Sequence, residues 1–328
     1  MELASARALK EEAKLQVLGI WEEEATSSLL GVRAQSVKRV SRPRTIAVGL
    51  SWAAANDYRL AVRVQHPLLL RGKEVESLRQ LAKGEIDVQY IGIVRKLAGP
   101  GIQTQVRPLQ MGASVGHFQV TAGSIGAFVQ DAAQTMILSN NHVLANENLA
   151  APGDHILQPG TADNGTDPAD AVATLTRFIP IDFVNHNLVD CAVGGLMAGI
   201  GFDSSSLGAL GQLNGVRTTA LRQDEPVAKL GRTTGPTRGT ITAVELDNVT
   251  VEYGAGDAVF DQQIEIQAAE GEPFSLGGDS GSLIVDGNMQ AVGLLFAGTD
   301  SGGVNNLGHT YANHIDEVFR ALSVNLVI

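Results

Sequence analysis

Gly277-Gly278-Asp279-Ser280-Gly281-Ser282-Leu283-Ile284-Val285 sets a serine inside a glycine-rich turn that runs directly into an apolar strand. A serine hydroxyl is a weak nucleophile until a base takes its proton and hydrogen-bond donors await the oxyanion. Small neighbours let backbone N–H groups converge on one point, and Gly278 and Ser280 are the candidate donors. A hairpin turn would have the same composition, so the serine needs a base elsewhere in the chain before it reads as chemical.

Seven histidines are available, and context separates them. His142 follows Thr135-Met136-Ile137-Leu138-Ser139-Asn140-Asn141, an apolar strand running into a polar turn, which suits a side chain projecting into a cleft. Asp190 interrupts Asn187-Leu188-Val189-Asp190-Cys191-Ala192-Val193, a run otherwise fit for a buried strand. A buried carboxylate is costly unless hydrogen bonds compensate, and a histidine N–H is one such partner. Asp182 is the nearest alternative, although Pro180 just before it makes that stretch read as loop. Cys191, the next residue, is expected on the opposite face as core.

Ser-Asn-Asn-His-Val at 139–143, Asp-Cys-Ala-Val at 190–193 and Gly-Gly-Asp-Ser-Gly-Ser at 277–282 resemble the three signature segments of the chymotrypsin/trypsin-like serine proteases. The order His, Asp, Ser is that of the family, and steps of 48 and 90 positions lie close to its steps of about 45 and about 93. Lys229-Leu230-Gly231-Arg232-Thr233-Thr234-Gly235 with Gly239-Thr240-Ile241 resembles the second-barrel segment of bacterial members, and Gly293–Gly298 resembles the strand along which substrate pairs. Leu138–Ala145, Pro152-Gly153-Asp154 and Ile156–Gly160 are most similar to the intracellular trypsin-like proteins of bacteria and plants related to the plant NARROW LEAF group.

The resemblance covers residues 110–320 and implies a mainly β fold of two six-stranded antiparallel β-barrels with the catalytic residues in the cleft between them. It implies a peptide or protein substrate, His142 as base, Asp190 as orienting acid, Ser280 as nucleophile, an oxyanion hole at Gly278 and Ser280, and no metal or organic cofactor. The family position whose acid selects Lys or Arg is here Phe274, so trypsin-like specificity is not expected. Phe274, Phe296, Gly298, His309 and Thr310 are the expected substrate-pocket residues, with a hydrophobic or small residue before the scissile bond. His309 leaves open an acidic preference. A pseudoprotease that binds peptides without turnover, an esterase and a scaffold protein also stay open, whereas an α/β-hydrolase would order its triad Ser, Asp, His.

Residues 1–40 carry strong helix formers with Leu3, Ala6, Leu9, Ala13, Val17 and Ile20 at three- and four-residue steps, which predicts an amphipathic helix. Thr45–Leu50 and Tyr58–Val64 read as strands, Val75–Leu81 as a helix and Ile86–Val94 as a strand, a small α+β module over 41–105 closed by the linker Leu97-Ala98-Gly99-Pro100-Gly101. Short β-prone runs follow, in a protease-like domain over 106–328: a first barrel over about 108–200, a second over about 210–313 and a terminal helix over 314–322.

With 24 Lys and Arg against 35 Asp and Glu, the net charge of -11 disfavours nucleic acid and anionic membrane surfaces as partners. The single cysteine excludes an internal disulfide, and charges across Met1–Glu24 leave no apolar signal region, so a cytoplasmic protein is expected. The N-terminal region is the expected site of restraint, targeting or homo-oligomer assembly.

Overall fold

The computed structural model describes residues 1–29, 46–94, 102–269 and 271–328. The predicted linker 97–101 and the predicted helical stretch beyond residue 29 lie outside the described residues. Among the described residues no helix is long and apolar enough to cross a membrane.

Helix α1 (Leu3–Leu29) buries Ala6, Lys10, Ala13 and Val17 along one stripe. Lys10 belongs to that stripe because its ammonium lies 3.1 Å from Asp247, a carboxylate with no exposure of its own. Strands β1 (Ile46–Ala54) and β2 (Asp57–Val64) form a hairpin whose turn places Asn56 at positive φ, a conformation that asparagine tolerates. Helix α2 (Lys73–Leu81) buries Val75 and Leu78 and leads to β3 (Ile86–Tyr90), parallel to β2. The predicted order β-β-α-β is present.

Next come β4 (Leu109–Gln110), β5 (Ser114–His117), β6 (Gly123–Ser124), β7 (Ala127–Gln130), β8 (Thr135–Ser139), the short helix α3 (Asn141–Leu144), β9 (His155–Leu157), β10 (Ala171–Phe178), β11 (His186–Asn187), β12 (Ala192–Leu196) and β13 (Phe202–Asp203). The remainder holds β14 (Pro226–Gly231), β15 (Gly235–Asp247), β16 (Val249–Tyr253), β17 (Gly256–Phe260), β18 (Gln263–Ala268), β19 (Leu283–Asp286), β20 (Ala291–Gly298), β21 (Thr310–His314), helix α4 (Ile315–Leu322) and β22 (Asn325–Leu326).

The second half closes on itself: β14-β19-β20-β21-β18-β15 returns to β14, a six-stranded antiparallel barrel. Alternation on β15 turns Gly239, Ile241 and Ala243 inward while their neighbours stay partly exposed, the period-two signature of a strand with one buried face. Strand β20 is buried along its whole length, because one face lines the barrel and the other is covered. The first half is an eight-stranded antiparallel sheet, β22-β7-β8-β12-β10-β9-β5-β6, curled but not closed by hydrogen bonds. Together they make a mainly β double-barrel architecture, one barrel closed and the other a curled sheet. One apolar cluster runs through the seam, joining Leu138, Val143 and Cys191 to Leu230, Leu283 and Leu294.

Crossings of the chain help to bind the halves. Helix α4 packs on β20, and β22 then crosses to the edge of the first sheet beside β7. The β16–β17 hairpin sits between β15 and β18 in the chain and pairs with β11, just ahead of Asp190. The N-terminal strands do not stand apart: β1 pairs with the far end of the 13-residue β15, so β1-β2-β3 continue the barrel sheet.

Candidate active site

His142 lies in the one-turn helix α3, which follows directly on β8 after the N-cap Asn140. Its Nδ1 is 2.5 Å from Asp190 Oδ2, and since a carboxylate only accepts, Nδ1 carries the proton in the neutral imidazole. Pairing with an acid does not by itself single out His142. His117 meets Asp154 at 3.1 Å, His155 meets Asp167 at 2.5 Å and His186 meets Asp261 at 2.9 Å. Those three carboxylates all reach solvent, whereas Asp190 has no exposure and no lysine or arginine pairs with it among the described residues.

A carboxylate in that position requires donors. Oδ1 accepts the backbone N–H groups of Asn141 at 2.7 Å and His142 at 3.3 Å, and Oδ2 accepts the imidazole and the Tyr253 hydroxyl at 2.8 Å. The backbone of Asp190 is held as well: its N–H donates to Asn313 Oδ1 and its carbonyl accepts from Asn140 Nδ2. Asp190 stands two residues ahead of β12 rather than inside a strand, and the turn leaves both carboxylate oxygens facing donors. Asp182, the alternative acid, accepts N–H groups from Val184 and Asn185 of its own loop. The Asn185 side chain and then these N–H groups hold its carboxyl below the usual range, and no histidine contacts it among the described residues.

Ser280 enters from the second barrel, in the turn before β19. Its carbonyl accepts the Ser124 N–H at 2.7 Å, which ties the turn to β6 of the first sheet. A side chain at Gly123 would press on both the Ser280 carbonyl and Val143, so Ser280 and the residue after His142 share one neighbour. No protein hydrogen bond engages Ser280 Oγ or His142 Nε2 among the described residues, and neither atom is sealed from solvent.

The turn around Ser280 is rigidly braced. Asp279 is fully buried and accepts N–H groups from Thr233 at 2.8 Å, Thr234 at 3.2 Å and Leu276 at 3.0 Å, together with the Thr234 hydroxyl at 2.8 Å. Lys229 Nζ supplies the counter-charge at 3.1 Å. Burial pulls the Lys229 ammonium below its ordinary value, and Asp279 opposes the drop. Gly231 is glycine because a side chain there would collide with Asp279 Oδ1 and Ser282 Oγ. Gly278 takes φ of +90°, and its carbonyl accepts the Ser124 hydroxyl at 2.9 Å. The N–H groups of Gly278 and Ser280 have no internal acceptor among the described residues.

No family model matches the chain, and no curated protein matches it. Solved structures do. Thermobifida fusca Protease A aligns at a TM-score of 0.46 and 20% identity, over 67% of this chain and 98% of that one. A glutamic-acid-specific serine protease that uses a histidine triad in substrate binding aligns at 0.48 and 19%, over 67% and 100%. Cellulomonas bogoriensis chymotrypsin aligns at 0.46 and 20%, over 67% and 98%. The likeness is one of fold.

The expected pocket residues are distributed unevenly. Gly298 pairs with Thr310 across β20 and β21, and the Thr310 hydroxyl lies 2.6 Å from that of Ser275 in the segment leading to Ser280. Phe274 packs inside the barrel with Val227, Ile241 and Ile266, and Phe296 lies against Phe260 in a tilted pair, 4.7 Å between centroids. His309 is sealed: Gln267 Nε2 lies 3.3 Å from its Nδ1, its ring stacks with that of Tyr311, and Glu265 is 3.5 Å away. Burial pushes its imidazole below the ordinary value.

Ser124, Tyr253 and Asp163 escape a reading of the sequence. Ser124 donates to Gly278 and accepts the Arg232 N–H at 2.9 Å. Asp163 receives the Arg232 guanidinium through two bonds of 2.6 Å, joining the barrels behind the Ser280 turn. None of the three sits in a motif, and each works through a partner more than 60 positions away.

Proposed function

We propose that this chain is a serine endopeptidase working through His142, Asp190 and Ser280. The observation that carries the reading is the wholly buried Asp190 carboxylate whose compensation includes the His142 imidazole at 2.5 Å, beside the turn that bears Ser280. His142 Nε2 takes the Ser280 proton as Oγ attacks the peptide carbonyl and returns it to the leaving amine, while Asp190 stabilises the imidazolium. Water then resolves the acyl-enzyme with His142 again as base. The N–H groups of Gly278 and Ser280 receive the oxyanion, where loss of one donor costs about 3 to 4 kcal/mol. The Ser280–His142 hydrogen bond forms as substrate excludes water, since such bonds commonly tighten only in the Michaelis complex.

A small or hydrophobic residue before the scissile bond suits a pocket whose Ser275 and Thr310 hydroxyls are bonded to each other and whose Phe274 is turned into the core. Kinship with the NARROW LEAF-related intracellular proteins rests on residues 138–145 and 152–160, and an intracellular site of action on the lone, buried Cys191. Control by the N-terminal region is supported by the docking of α1, where Lys10 and Lys14 converge on Asp247 and Lys14 reaches Asp261 at 2.6 Å. Replacing both lysines by alanine is expected to release the helix and change turnover or oligomer size; no change in either removes the regulatory reading.

The test of the activity itself is a proteome-derived peptide library digested by wild type and Ser280→Ala, with cleavage sites read by mass spectrometry. Cleavage by wild type alone supports the endopeptidase. Equal patterns from both refute it, and no cleavage by either favours a peptide-binding module.

A further inference from the structure

The Tyr253 hydroxyl lies 2.8 Å from Asp190 Oδ2, the same oxygen that accepts the hydrogen bond from His142 Nδ1–H. Tyr253 ends β16, and its ring stands edge-on to the His142 imidazole at 6.0 Å and to Phe183 at 6.2 Å. The geometry is not incidental to packing, because both ends of the contact are fixed by one small sheet. Strand β17 pairs with β11 through His186 opposite Val259 and Asn187 opposite Phe260, three residues before Asp190. Asn187 Nδ2 donates to the Val259 carbonyl, and the Asp261 N–H donates to the Asn187 carbonyl at 2.9 Å. The hairpin from the second barrel thus clamps the loop that carries the acid of the first.

Burial, and then the charge of Asp190, pushes the Tyr253 phenol well above its ordinary value, so the hydroxyl remains a donor. The other titratable groups around the pair are Glu147, which accepts the Gly254 N–H at 2.8 Å beside Tyr253, and Cys191, whose thiol burial keeps protonated.

We propose that Tyr253 is a positioning residue for the His142–Asp190 pair, fixing the rotation of the carboxylate and drawing off part of its charge. The proposal rests on the endopeptidase reading for its consequence in turnover, but the effect on the pair is independent of any substrate. An anion that accepts a hydroxyl has less charge to hold the imidazolium. Removing the hydroxyl therefore favours the protonated imidazole and moves the acid limb of the rate profile to higher pH.

The experiment compares full-length wild type with Tyr253→Phe, which keeps the ring and deletes only the hydroxyl. The acid limb of kcat/KM is expected to rise by about 0.5 to 1 pH unit, with kcat down roughly 10- to 100-fold and KM within about twofold, the scale of one hydrogen bond to a charged group. In parallel, the far-downfield proton resonance of His142 Nδ1–H is recorded in both proteins and is expected to move. Incorporating 3-fluorotyrosine at position 253, a stronger donor of nearly the same shape, is expected to shift both readouts the opposite way. It also covers a Tyr253→Phe protein that fails to fold. Superimposable pH profiles and an unmoved resonance overturn the proposal. If wild type has no turnover, the endopeptidase reading fails, and the resonance alone decides whether Tyr253 acts on the pair.

Discussion

Lys229 and Asp279 meet at 3.1 Å with neither side chain exposed, one residue ahead of Ser280. The pair fastens the Ser280 turn to β14. Replacing Lys229 by methionine leaves a buried carboxylate without its cation, a change that typically costs about 3 to 5 kcal/mol. Chemical denaturation should show that loss, with a fall in kcat/KM as the turn loosens. Adding Asp279→Asn removes the stranded charge and is expected to restore most of the stability. A double variant as unstable as the single one contradicts this account of the turn.

Arg63 of β2 and Glu265 of β18 form a second buried pair, at 2.8 Å and without exposure. Here the N-terminal sheet penetrates the barrel wall. Burial opposes ionisation of Glu265, yet the charge of Arg63 outweighs it and holds the carboxyl down at about 2. A folded value below the ordinary 4.5 means stability present above pH 4.5 and lost as pH falls through about 2, worth roughly 3 kcal/mol. Urea midpoints measured from pH 5 to pH 2 should fall through that window. In Arg63→Met with Glu265→Met the slope should flatten, and the double variant should be more stable than Arg63→Met alone.

Ser124 links three elements through one side chain and one N–H. Ser124→Ala deletes the donor to the Gly278 carbonyl and the acceptor for the Arg232 N–H. About 1 to 3 kcal/mol of stability and about a tenfold loss in kcat/KM are expected. Thermal melts and steady-state kinetics check the two together.

Gly278→Ala probes the proposed oxyanion donors more sharply. The backbone there has φ of +90°, and an added Cβ would fall on Arg232 Nη1 and Thr233 Oγ1. The turn must shift, and a loss of about 100-fold or more in kcat is expected, the scale of losing one oxyanion donor. A variant with near wild-type kcat would place those donors elsewhere.

The proposed His142, Asp190 and Ser280 stand out in the sequence because each sits in a local pattern: a strand ending in a polar turn, an acid in an apolar run, a serine among glycines. The strands of the closed barrel were legible for a similar reason, since alternation along β15 and the apolar runs of β19 and β20 report burial directly. Pairings over long separations leave no such mark. Nothing around Leu50 announces that it lies opposite Val244, and nothing around Tyr253 announces Asp190, 63 positions away. Lys10 was concealed differently: a lysine within an apolar stripe reads as a break until Asp247 is placed beneath it.

The central claim is that Ser280 is an activated nucleophile, and covalent capture tests it without knowledge of the natural substrate. Wild type, Ser280→Ala and His142→Ala are treated with a fluorophosphonate near neutral pH and digested, and the adduct is located by mass spectrometry. The account predicts one adduct, on Ser280, in wild type, none in Ser280→Ala and a rate lowered by at least about 1000-fold in His142→Ala. An unlabelled wild-type Ser280, or equal labelling without His142, would contradict it.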